Sequence, residues 1–125
     1  MPLAPAILAF LLAFAGPSVA QISDEYRWLQ LGESVSLLQL GPRLTNVGVV
    51  EGVGSGLVVD SYLSSQAGGL VQEVNNHLGG SPDFVVTTHS HGDHWGANAA
   101  FAAQGSQLIA QRSAILVEQA FQSLN

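Results

Sequence analysis

The sequence predicts an α/β fold in which helices are layered on a sheet. Three observations carry that expectation. Strand-like runs come first, between residues 35 and 60. The apolar period then changes to that of a helix between Ser64 and Leu78. An unbroken β-branched and aromatic run, Phe84-Val85-Val86-Thr87, follows a turn, as alternating helix and strand units require. With 125 residues, 47% of them hydrophobic, the chain has room for one domain with a real core.

The first 20 residues read as a targeting segment. Leu3 to Ala15 is almost wholly apolar but shorter than the ~20 residues a bilayer-spanning helix needs. Gly16-Pro17 interrupts it, and Ser18-Val19-Ala20 places small residues where a signal peptidase reads them. Cleavage before Gln21 is expected, leaving residues 21–125 as an exported domain, periplasmic or secreted. No lipidation cysteine follows, so no stable membrane anchor is expected after cleavage.

Asp24 to Gln30 is a polar lead-in with Trp28 as a packing anchor. Val35 to Leu40 and Leu44 to Val50 alternate as strands about a Gly41-Pro42 turn. Gly52-Val53-Gly54-Ser55-Gly56 lacks the spacing of a phosphate-binding loop and reads as a hairpin turn needing positive φ before a third strand, Leu57 to Asp60. Ala67, Leu70, Val71, Val74 and Leu78 fall on one helical face, with Ser64 or Ser65 able to cap the start and Gly79 the end. His77 lies in the last turn of this helix, where a cation suits the dipole. Continuous apolar character from Phe84 to Thr87 predicts a strand covered on both faces. A short helix is expected over Ala97 to Gln104, a strand over Gln107 to Ala110, and a final helix over Ser113 to Leu124 that turns Ile115, Leu116, Ala120 and Leu124 inwards.

Charge and composition exclude several functions. Nine acidic residues stand against three basic ones, a formal net charge of −6. Without a basic patch the chain is a poor nucleic-acid binder. The absence of cysteine removes disulfides, thiolate nucleophiles and thiolate ligands. No G-x-S-x-G elbow is present, so serine catalysis has no support.

The most specific signal is His89-Ser90-His91-Gly92-Asp93-His94, directly after the Phe84–Thr87 run. Imidazole and carboxylate are the donors zinc takes, at about 2.0–2.2 Å. Histidines two apart on an extended segment point to one side, so His89 and His91 can hold one ion. Asp93 and His94, where the chain turns, can face a second ion or the first one's water.

Leu57-Val58-Val59-Asp60-Ser61, the helix, the Phe84–Thr87 strand and Thr88-His89-Ser90-His91-Gly92-Asp93-His94-Trp95-Gly96-Ala97-Asn98 together resemble the metallo-β-lactamase superfamily of zinc hydrolases. The resemblance runs from about Val35 onwards and implies the first half of an αββα sandwich. It implies His89 and His91 as ligands of a first zinc, and Asp93 and His94 as ligands of a second. Asp93 would also orient the nucleophile, and Asp60 would support the metal loop through hydrogen bonds. The implied activity is attack by zinc-activated hydroxide on an ester, thioester or amide carbonyl, β-lactams included, in a small-molecule substrate.

In this superfamily further His and Asp ligands come from a second half. Ala99 to Asn125 has no His, Asp or Cys, and its only acid is Glu118. The chain therefore reads as a truncated or partial domain. The competing expectation is a catalytically silent fragment that binds metal weakly or acts by association, since half a sandwich leaves an apolar sheet face open to self-association.

Overall fold

A computed structural model describes residues 26–41 and 45–124. The expected signal segment, Asp24 and the Pro42 position lie outside the described residues. Six strands form one sheet in sequence order: β1 (Arg27–Gln30), β2 (Val35–Leu40), β3 (Thr45–Gly52), β4 (Ser55–Val59), β5 (Phe84–Thr87) and β6 (Gln107–Ala110). β1 to β4 form an antiparallel meander, whereas β4, β5 and β6 run parallel. Parallel neighbours need crossovers. One is α1 (Ala67–Leu78), entered through a 3₁₀ turn at Ser64–Gln66; the other contains α2 (Gly92–Trp95) and α3 (Asn98–Ala103). α4 (Arg112–Gln122) follows β6.

The Gly-rich segment is the expected hairpin turn. β3 and β4 pair out to Gly52 and Ser55, and Gly54 takes φ 68° between them. At the end of α1, Gly79 adopts φ 73° and sends its amide, with that of Gly80, back to the Asn75 carbonyl. The start differs from expectation, because neither serine caps it through its side chain. The polar lead-in also proves to contain β1. Its Trp28 stacks on the His77 ring at 3.8 Å and donates its indole N–H to Glu73 at 2.8 Å.

Alternation along the strands sends Leu38, Leu40, Val47, Val49, Val58 and Val85 to one face, where they pack with Leu70, Val71 and Val74 of α1 and Phe101 of α3. Burial of each such side chain contributes about 1.5–3 kcal/mol, which fixes strand register, since a slip of one residue would reverse the faces. The other face carries two lateral rows. One runs Leu37, Gly48, Val59, Val86, Ile109; the other runs Val35, Val50, Leu57, Phe84. Phe84 is 36% exposed and Ile109 47%. β5 is thus covered on one face only among the described residues, which corrects the two-sided expectation. α4 is a second correction. Only Ala114 is buried on it, while Ile115, Leu116 and Leu124 are exposed.

Candidate metal centre

Because β4 and β5 are parallel, their carboxyl ends lie at the same edge of the sheet, where ligand crevices of open α/β sheets form. β4 delivers Asp60 to that edge and β5 delivers Thr88 and the histidine loop. Asp60 leaves the strand in the left-handed region, φ 63°, with its amide on the Val86 carbonyl at 2.8 Å. Aspartate tolerates this conformation better than most residues do. The turn carries its carboxylate under the start of the histidine loop, where the residue is only 7% exposed.

The loop is fastened to residues 61–62 by main-chain bonds. Ser61 N donates to His94 O at 2.8 Å, Gly96 N to Tyr62 O at 2.7 Å and Ala97 N to Ser61 O at 3.1 Å. Gly96 is obligatory, because a Cβ there would collide with backbone atoms of Tyr62, Leu63 and Ser64. A buried polar chain adds rigidity. Ser61 Oγ donates to Asn98 Oδ1 at 2.7 Å and Asn98 Nδ2 to Thr87 Oγ1 at 2.9 Å. Trp95 braces the loop from within, donating its indole N–H to Ser90 O at 3.0 Å. Partial burial raises the pKa of Glu118 on α4 above its ordinary value, and the nearby Asn98 side chain partly opposes the rise.

The predicted ligands come together unequally. The His89 and His94 ring centroids are 4.0 Å apart, and those of His89 and His91 are 4.7 Å apart. One donor atom from each of Asp60, His89 and His94 lies within 4.8 Å of the other two. Asp93 stands at the margin, its carboxylate 3.6 Å from His94 Nε2, and His91 meets the group through the His89 ring. The rings therefore converge, but the tightest set joins His94 to His89 and Asp60, not to Asp93.

Hydrogen bonds separate the parts these residues can take. Asp60 Oδ2 is 2.8 Å from His94 Nδ1, and Oδ1 accepts the Thr88 amide at 2.8 Å. The Thr88 hydroxyl lies 2.8 and 3.0 Å from the two carboxylate oxygens and 2.9 Å from His89 Nδ1. With Nδ1 engaged on both rings, Nε2 is the nitrogen each has left for a cation. Two imidazole nitrogens with carboxylates beside them suit zinc, and Asp60 is already hydrogen-bonded to Thr88 and His94. Thr88 was not singled out from the sequence. A threonine at a strand end is too ordinary to stand out, and only its place between Asp60 and His89 marks it.

Residues 40–111 match the Metallo-beta-lactamase superfamily, and the chain belongs to that family. Its fold matches solved metallo-β-lactamases. That of Hirschia baltica is 20% identical, with a TM-score of 0.63, over 76% of this chain and 48% of the other. The mono-zinc form of FIM-1 from Pseudomonas aeruginosa gives 19% identity and a TM-score of 0.63, over 75% and 46%. That of Pontibacter korlensis gives 17% and 0.62, over 76% and 48%. The chain thus spans about half the length of these structures. No curated protein sequence matches it.

Proposed function

We propose that this chain carries the zinc-binding half of a metal-dependent hydrolase that cleaves an ester, thioester or amide carbonyl, β-lactams among the candidates. The observation that carries this reading is the grouping of Asp60, His89 and His94, one donor atom of each lying within 4.8 Å of the other two. Bound zinc would supply Lewis acidity and lower the pKa of a coordinated water towards ~7. His89 and His94 would hold the ion through Nε2, and His91, beside His89, would complete that side. Asp93 would accept a hydrogen bond from the attacking water and keep it aimed at the carbonyl. Asp60 would hold the rings in place.

Zinc content after dialysis, measured alongside turnover of a thioester, an aryl ester and a chromogenic cephalosporin, tests the reading. Zinc retention at micromolar metal, lost in His89→Ala, is expected of this chain, and turnover abolished by the same change is expected of the protein that carries both halves. Turnover unaffected by that change would refute it. A second reading, an inactive chain that works by association, is favoured by the open sheet face and exposed α4 residues. Concentration-dependent sedimentation of a zinc-loaded but inactive protein would support it over the first.

A further inference from the structure

We propose that Thr88 is a positioning residue that extends the hold of Asp60 to His89, so that one buried carboxylate fixes the tautomers of two imidazoles. Its bearing on a cation rests on the zinc reading above; the tautomers themselves do not.

The argument is a count of hydrogens. An ionised carboxylate only accepts hydrogen bonds, so His94 Nδ1, 2.8 Å from Asp60 Oδ2, must carry its proton there. The Thr88 hydroxyl has one proton and faces Asp60 at 2.8 and 3.0 Å. Were that proton turned to His89, oxygen lone pairs would oppose each other across these short distances. The hydroxyl therefore donates to Asp60, and towards His89 Nδ1, at 2.9 Å, it can only accept. His89 Nδ1 must then be protonated, and its Nε2 is bare. Both rings end in the same state, one directly and one through the hydroxyl. The carboxylate is held for this task, since the Thr88 amide binds Oδ1 at 2.8 Å and the residue is 7% exposed. A neutral ring held in either tautomer has one acceptor nitrogen, so the choice decides which atom faces a cation.

Two-bond ¹⁵N–¹H correlation spectra of the metal-free protein, near pH ~8 where unperturbed imidazole is neutral, read the tautomers directly. The wild type should show Nδ1–H at both His89 and His94. Thr88→Val should release His89 alone, and Thr88→Ser, which retains the hydroxyl, should restore it. Zinc affinity by chelator competition should fall about 10-fold in Thr88→Val and recover in Thr88→Ser. An Nε2–H signal at His89 in the wild type, or an Nδ1–H signal kept in Thr88→Val, would overturn the relay. A shifted tautomer with unchanged zinc affinity would overturn its link to the cation. Failure of the hydrolase reading leaves the metal-free spectra fully interpretable, so the two failures can be told apart.

Discussion

His94 and His77 are each paired with a carboxylate at 2.8 Å, yet they do different work. His77, at the C-terminal end of α1, lies flat on Trp28 with an interplanar angle of 10°, and its Nε2 meets Glu51. That ring packs β1 against the helix, while its close approach to Glu51 on β3 lacks the geometry of a hydrogen bond. His94 gives Nδ1 to Asp60 and turns Nε2 towards Asp93, with the His89 ring alongside. A carboxylate partner alone therefore does not identify a functional histidine. The surroundings of the ring decide: His77 lies flat on Trp28, whereas His94 turns its second nitrogen to Asp93 beside the His89 ring.

The comparison breaks most readily at the metal. His94→Ala should lower zinc affinity by about 100-fold or more, since losing a supporting partner alone costs about 10–100-fold. His77→Ala should leave it unchanged. Isothermal titration of both variants reads the contrast, and a zinc defect in His77→Ala would show that the two ends of the sheet are not independent. Next in size is Asp60→Asn, expected to weaken zinc about 10–100-fold while the far-ultraviolet circular dichroism stays the same. Full affinity in that variant would mean the carboxylate orients nothing.

Gly96→Ala probes the seat of the loop. Its collision with the Tyr62–Ser64 backbone should cost about 1–3 kcal/mol, read as a lower denaturant midpoint. His77→Ala should cost about 0.5–1.5 kcal/mol of stability, the worth of a stacked ring pair, with no loss of metal.

The smallest effect concerns Glu118. Its carboxyl is raised by burial, so its contribution to stability is present below the ordinary carboxylate range and declines as pH rises through the elevated value. Glu118→Gln removes that decline. The variant should match the wild type in mild acid and melt slightly higher at neutral pH. An identical pH dependence of melting in both proteins would contradict the assignment.

How far the sequence disclosed this molecule depended on the kind of signal. Period-two and period-3.6 patterns placed β2 to β5 and α1 within a few residues, because those elements bury a face against the helix–sheet core, whereas β6 was placed by its apolar run alone. β1 escaped notice because its four residues, Arg27-Trp28-Leu29-Gln30, are too few and too polar at the ends to show alternation. The one-turn α2 has no period to detect. The apolar stripe of α4 was legible, but a stripe says that a face seeks cover and not what covers it, and the same holds for β5. At the site, the clustered histidines stood out by composition. Their unequal grouping did not, since it arises from the left-handed turn at Asp60 and the main-chain bonds between residues 61–62 and the loop.

The central claim, that His89 and His94 present bare Nε2 atoms to one zinc ion, is tested most directly by zinc retained after dialysis against micromolar metal. The wild type and His77→Ala should keep zinc, and the double variant His89→Ala/His94→Ala should lose it. Equal zinc in all three would contradict the account.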